Sequence, residues 1–133
     1  MGRLIYLDSC LVIYQVEKHP VWSDRVDAMM AGSGDAVLVL SGLVKAECLV
    51  RPIRSGDRQL QLDFQTYFAG SLSLDLPEPV FLAAAGLRAR FNLKLPDALH
   101  LACARHHGCA ALWTNDSRLS AAGGDLVRVL APQ

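Results

Sequence analysis

The stretch that decides the fold is RLIYLDSCLVIY, residues 3–14, in which an apolar run reaches one aspartate and a second apolar run begins at once. Leu4 to Leu7 predict a short strand buried on both faces, because the run is apolar without alternation. Asp8 then stands at the carboxyl end of that strand, with Ser9 as a candidate cap for a following helix. Two interpretations of Asp8 remain open here: a carboxylate that only caps a helix, or a group held at the strand end for binding or chemistry.

Strand and helix patterns alternate along the rest of the chain, which predicts an α/β fold with a mostly parallel sheet covered on both faces. Apolar runs predict four further strands, at residues 36–40, 71–76, 110–114 and 126–130. Together with the first strand, these give a central sheet of four to five strands. The most apolar of the predicted helices, at residues 97–106, is expected to lie at the centre of the molecule because it is apolar nearly all round.

A helical hairpin is predicted at about residues 42–69. Pro52 should end its first helix, because proline disfavours helical geometry at the preceding residue. The segment at residues 51–58 is then a connector to a second helix at about residues 57–68, and it carries Arg51, Arg54 and Arg58. These arginines are candidates for contacts with phosphate groups, and a solvated loop is the alternative interpretation.

Length and composition predict one globular domain that spans residues 1–133. The chain is 52% hydrophobic and 20% charged, and its apolar runs are too short to cross a bilayer. Because the first residues also lack a signal-peptide pattern, we expect a cytoplasmic protein with no membrane partner. The net charge is zero, so no overall basic field indicates nucleic acid, although ten of the 13 basic residues are arginines, which suit phosphate contacts.

Four acidic residues occupy related places in this pattern. Asp8 and Asp116 directly follow strands, Asp97 lies in the first turn of the most apolar helix, and Glu47 lies on the apolar stripe of the helix after the second strand. Because the carboxyl ends of parallel strands meet at one edge, the four carboxylates are expected to converge there. Such a cluster needs cations to stay ionised. Oxygen ligands without histidine or cysteine at metal spacing predict Mg²⁺, or Mn²⁺, rather than zinc.

Phosphodiester hydrolysis is the chemistry that such a cluster predicts. One or two metals lower the pKa of a water molecule and neutralise charge on the phosphate that is cleaved. Ser9, Ser41 and Asn115 stand beside the acids in sequence or at a neighbouring strand end, so they are candidates for orienting substrate or outer-shell water. His100 is expected to be a packed helix residue without a role in acid–base chemistry.

The motifs that contain these acids resemble the PIN domain, and within it the VapC-type toxins of bacterial toxin–antitoxin modules. They are Leu7-Asp8-Ser9, Ser41 followed by Glu47, Pro96-Asp97-Ala98-Leu99-His100-Leu101-Ala102, and Thr114-Asn115-Asp116. The resemblance spans nearly the whole chain. It implies a three-layer α/β/α sandwich and a Mg²⁺-dependent endoribonuclease that acts on structured RNA, such as tRNA, rRNA or mRNA.

The resemblance also implies roles for individual residues and partners. Asp8 and Asp97 match the principal metal ligands of the family, while Glu47 and Asp116 match its other two acids. A homodimer and a tightly bound cognate antitoxin, whose tail reaches the acidic site, are implied as well, and the helical hairpin resembles the clip that holds the antitoxin. Cys10 departs from the family pattern, which often has asparagine or another small polar residue at that place.

Other protein classes also place acids at strand ends. A phosphatase of the haloacid dehalogenase type needs a second aspartate two residues after the first, where Cys10 stands. A response-regulator receiver needs adjacent acids early in the chain and a lysine at the end of a late strand, and neither is present. The remaining alternative is a non-catalytic PIN-like module that binds RNA or protein, and the presence of all four acids argues against it.

Overall fold

The computed structural model describes residues 2–130 and contains one sheet of five strands. The strands are β1 (Leu4–Leu7), β2 (Val37–Ser41), β3 (Leu72–Leu74), β4 (Ala111–Thr114) and β5 (Val127–Val129). The helices are α1 (Ser9–Val16), α2 (Trp22–Ala31), α3 (Gly42–Ser55), α4 (Arg58–Ala69), α5 (Glu78–Phe91), α6 (Leu95–His106) and α7 (Arg118–Gly123). The predicted α/β class, a three-layer arrangement of helices around a central parallel sheet, is confirmed.

The sheet has the order β3-β2-β1-β4-β5, and every neighbouring pair is parallel. β1 lies in the middle, and its residues 5–7 are buried, as an apolar run without alternation predicts. Leu7 of β1 is in register with Trp113 of β4, and the Asp8 amide donates to the Trp113 carbonyl at 3.0 Å. The carboxyl ends of β1, β2 and β4 therefore meet at one edge of the sheet.

Helix α6 packs in the interior, as its composition predicts. Seven successive residues, 98–104, are buried, so the helix has apolar contacts on all sides. Its first turn carries Asp97, and its buried part carries His100, at the same edge as the strand ends. Among the helices of residues 2–130, none has the length and apolar character needed to cross a membrane.

The prediction that Pro52 ends the third helix is wrong. α3 continues to Ser55 and ends at Gly56, whose left-handed backbone (φ 70°) lets the following amides bond back to the carbonyls of Ile53 and Pro52. Pro52 is buried, so the packing of its ring offsets the local disfavour for helix. The connector is reduced to residues 56–57, and Arg51 and Arg54 are helical.

Other element boundaries differ less from the predictions. β3 is shorter than residues 71–76 because it is an edge strand that pairs only with β2. α5 begins at Glu78, and Pro79 lies in its first turn, where proline is tolerated.

Candidate metal centre

Asp8 uses both carboxylate oxygens within the protein. Oδ1 accepts a hydrogen bond from the Ser9 amide at 2.8 Å, and Oδ2 accepts one from the Thr114 hydroxyl at 2.6 Å. Asp8 is thus the N-cap of α1, and the prediction that Ser9 takes this place is wrong, because Ser9 is the first helical residue. The carboxylate is held from two sides at the strand end, so capping the helix and facing the site are compatible.

Glu47 and His100 complete a compact group with Asp8. His100 is fully buried, and its Nε2 lies 2.5 Å from Glu47 Oε1 and 3.6 Å from Asp8 Oδ1. One oxygen or nitrogen atom from each of the three side chains lies within 4.8 Å of the others. The group joins the end of β1 to α3 and α6, three elements that are far apart in sequence.

A buried chain of hydrogen bonds lies behind this group. His100 Nδ1 lies 2.7 Å from the Tyr6 hydroxyl, which lies 2.7 Å from the Ser41 hydroxyl. When Nε2 of a neutral ring donates to Glu47, Nδ1 must accept from Tyr6, so the network assigns the tautomer. Ser41 also caps α3 by accepting from the Val44 amide at 3.4 Å. The hydrogen-bonded network thus returns to its starting point, because the helix that Ser41 caps carries Glu47 six residues later.

The fourth acid, Asp116, is paired with an arginine. The Arg118 side chain contacts both carboxylate oxygens through Nε at 3.0 and 3.1 Å and through Nη2 at 2.6 Å. The Asp116 amide donates to the Thr114 hydroxyl at 3.1 Å, and that hydroxyl donates to Asp8. Thr114 therefore connects the first and fourth acids through a single buried oxygen.

Asp97 lies in the first turn of α6, beside these groups but outside the compact group of Asp8, Glu47 and His100. Burial raises its pKa, and the charges of Asp8 and Asp116 raise it further. The opposing influences of His100 and Arg118 do not offset these effects. The structure thus places all four predicted acids at one edge, with Asp8 and Glu47 closest together and Asp97 and Asp116 around them.

Two basic side chains, His100 and Arg118, lower the pKa values of the acids that they contact. Burial acts to raise the pKa of Glu47, but the hydrogen bond and charge of His100 and a bond from Ser9 outweigh it, so that pKa is lowered. Burial acts to lower the pKa of His100, but the hydrogen bond that its ring donates to Glu47 and the charge of Asp8 raise it overall. The Asp116 pKa is lowered, chiefly by the hydrogen bond from Arg118. The ionised form is thus favoured at Glu47 and Asp116, in contrast to Asp97.

The donor set fits a hard divalent metal. The nitrogens of His100 are both engaged, one by Glu47 and the other by Tyr6, so the ring offers no lone pair to a metal. The remaining ligand atoms are carboxylate oxygens, which suit Mg²⁺ or Mn²⁺. Asp8, Glu47, Asp97 and Asp116 are the residues that would hold the ion.

The other predicted site residues have varied surroundings. Asn115 is held by Tyr14, to whose hydroxyl its Nδ2 donates at 2.9 Å, and Ser41 is fully buried, so it reaches the site only through Tyr6. Arg51 forms an exposed ion pair with Glu17 at 2.8 Å. The remaining two predicted phosphate contacts, Arg54 and Arg58, are exposed near the end of α3 and at the start of α4.

Sequence reasoning missed the contributions of Tyr6, Thr114, Arg118 and the polar side of His100. The expectation that His100 is packed is confirmed by its full burial, but the packing includes a contact with Glu47. A tyrosine in a strand buried on both faces must find a hydrogen-bond partner, and this signal was present in the sequence. Among the described residues, every buried polar side-chain atom does have one.

Comparisons with known proteins agree with this geometry. A family model described as the PIN domain matches residues 5–125. No protein of curated function matches the sequence closely enough to count as a relative. Solved structures are similar in fold at low identity, so these likenesses show the fold alone.

Three of these structures illustrate the likeness. A toxin–antitoxin complex from Klebsiella pneumoniae has a TM-score of 0.76 at 16% identity, with 96% of this chain and 98% of that chain covered. VapBC2 from Rickettsia felis, bound to a promoter DNA fragment, has a TM-score of 0.76 at 17% identity, and the match covers 95% of this chain and 98% of that chain. VapC20 from Mycobacterium tuberculosis, described as a toxin that cleaves the sarcin–ricin loop, has a TM-score of 0.76 at 17% identity. The match covers 90% of this chain and 95% of that chain.

Proposed function

Because this chain belongs to the PIN-domain family, we propose that it is a metal-dependent endoribonuclease and the toxin of a toxin–antitoxin module. The observation that carries the proposal is the convergence of carboxylates at one sheet edge, with Asp8 and Glu47 held beside a histidine that has no free nitrogen. This arrangement supports Mg²⁺ or Mn²⁺ as the cofactor.

The protein's own residues would prepare the site for hydrolysis of an RNA phosphodiester bond. A bound metal supplies a water of lowered pKa and neutralises charge on the phosphate. Asp8 is oriented by Ser9 and Thr114, and Glu47 by His100, so neither carboxylate must give up rotational freedom when it binds the ion. Such prior orientation is what supports a hydrolytic role rather than a merely structural one.

RNA would approach along one face of α3. Glu47, Arg51 and Arg54 are spaced by four and three residues, so they share a helix face that leads away from the acids. We propose that Arg51, Arg54 and Arg58 contact RNA phosphates. Replacing each arginine should weaken RNA binding. It should also lower the slope of the logarithm of the binding constant against the logarithm of salt concentration by about 0.7 per lost contact. A slope equal to that of the unaltered protein, measured by fluorescence anisotropy, would reject the contact.

The solved toxin–antitoxin complexes support a cognate antitoxin as partner of this chain. The hairpin of α3 and α4 carries three exposed apolar side chains, Val50, Ile53 and Leu62, which are suited to cover by another chain. A homodimer and a cytoplasmic location belong to the same proposal. The sarcin–ricin loop named for VapC20 supports structured RNA, including rRNA, as the substrate class.

Incubation of the purified protein, freed of any antitoxin, with total RNA and Mg²⁺ tests the proposal. We expect endonucleolytic fragments that chelation prevents, and Asp97→Asn should lower the cleavage rate by at least about 100-fold, since weakening a metal's supporting groups alone costs 10- to 100-fold. Asp63→Asn, on the exposed face of α4, is the matched control and should cleave normally. Equal cleavage by the Asp97 variant, or none by the unaltered protein, would favour the non-catalytic binding module.

A further inference from the structure

A small cavity lies beside Asp97, and its lining does not include the compact group of Asp8, Glu47 and His100. Its volume is about 220 Å³, and it is lined by residues 91–94, Asp97 and Arg118. This is room for a phosphate group with several water molecules, since one water occupies about 30 Å³. Two cationic side chains, Lys94 and Arg118, line this cavity together with the Asp97 carboxylate.

The backbone that carries Lys94 is fixed by hydrogen bonds. Asn92 adopts a left-handed conformation (φ 55°) and its amide donates to the Arg88 carbonyl at 2.9 Å. The Arg88 side chain in turn donates through Nε to the Leu93 carbonyl at 2.9 Å. Leu93 is buried, and the Lys94 carbonyl accepts from the Ala98 amide at 3.0 Å. The loop therefore holds Lys94 at the cavity before any ligand binds.

Arg118 is placed to exchange one anion for another. Its side chain is 65% exposed, while its guanidinium makes a forked contact with the two oxygens of Asp116. An exposed ion pair of this type contributes little to stability because water and salt screen it, so it can open. The same fork fits two oxygens of a phosphate as well as it fits a carboxylate.

The charges support a phosphate in this cavity. An RNA backbone that approaches four carboxylates is repelled unless cations lie beside them. Lys94 and Arg118 line the same cavity as Asp97, and the Arg118 guanidinium lies 2.6 Å from an Asp116 oxygen. Both cations thus act at short range on the acids, and they give the site one cationic flank.

We propose that Lys94 and Arg118 bind a backbone phosphate next to the one that is cleaved, and that Arg118 leaves Asp116 to do so. The inference rests on the proposed ribonuclease function and deepens it. The exchange frees the Asp116 carboxylate for the metal when RNA is present. Asp116 would therefore join the other metal ligands only when RNA binds and Arg118 moves to the phosphate.

Salt-dependent RNA binding tests the phosphate site. In an Asp8→Asn background that binds a labelled single-stranded oligoribonucleotide without cutting it, Lys94→Met and Arg118→Met should each weaken binding. Each should also lower the logarithmic salt slope by about 0.7. Arg3→Met is the control, since Arg3 lies at the amino end of β1, at the opposite edge of the sheet, and its slope should not change. Slopes for the Lys94 and Arg118 variants that equal the control's overturn the phosphate site.

Metal binding without RNA tests the exchange. Arg118→Met should bind Mn²⁺ several-fold more tightly than the unaltered protein, because the Asp116 carboxylate is released from its pair. An unchanged or weaker Mn²⁺ affinity overturns the exchange. Neither measurement depends on cleavage, so altered slopes in a protein that cuts no RNA would support the phosphate site and reject the nuclease. Unaltered slopes in a protein that does cut RNA would reject the phosphate site and support the nuclease.

Discussion

Asp8→Asn should abolish Mg²⁺-dependent RNA cleavage, with a rate loss of at least about 100-fold, and leave the protein folded. Asparagine caps helices as well as aspartate does, so the bond from the Ser9 amide to the side-chain oxygen is retained. The second oxygen becomes an amide, which accepts no hydrogen bond from Thr114 and offers no charge to a metal. The substitution thus removes a ligand and spares the helix start.

Thermal unfolding with and without Mg²⁺ measures this effect apart from catalysis. A ligand at 100 times its dissociation constant stabilises the folded state by about 2.7 kcal/mol, which for a chain of this size is several degrees in Tm. We expect that increase for the unaltered protein and for Asp63→Asn, and a much smaller one for Asp8→Asn. A full Mg²⁺-induced increase in the Asp8 variant would remove Asp8 from the ligand set.

His100→Leu should lower the free energy of unfolding by about 2–4 kcal/mol, because it breaks a buried network at two points. The substitution leaves the Tyr6 hydroxyl with only Ser41 as partner and leaves Glu47 without the bond that orients it. Urea unfolding provides the measurement. Cleavage should fall as well, at a Mg²⁺ concentration and temperature where the variant is folded.

Tyr6→Phe separates the two ends of the network. It removes one buried hydroxyl and retains the bond between His100 and Glu47, so we expect a loss of about 1–2 kcal/mol and a smaller fall in cleavage than for His100→Leu. The double variant should be less destabilised than the sum of the two, since both changes remove the same bond between Tyr6 and His100. Additive losses would show that the two residues do not act as one unit.

Much of the architecture follows from local patterns in the sequence. Residues 4–7 and 111–114 are short apolar runs that can be satisfied only in the interior of a sheet, and each is followed at once by polar residues. The continuation of α3 past Pro52 was not predicted, because it depends on burial of the proline ring against other elements. Local propensity describes the chain next to a residue and not what packs on it.

The sequence alone determined the fold class, because apolar periodicity is local. It also predicted which acids lie together, because the carboxyl ends of parallel strands share an edge. Only the tertiary structure decided which groups surround each acid. His100 meets Glu47 across 53 residues of chain, and Thr114 meets Asp8 across 106. Tyr6 reaches these groups through His100, and Arg118 contacts both oxygens of Asp116. The physical reason is that hydrogen-bond partners of buried polar groups are set by the packing of distant elements, which no local pattern encodes.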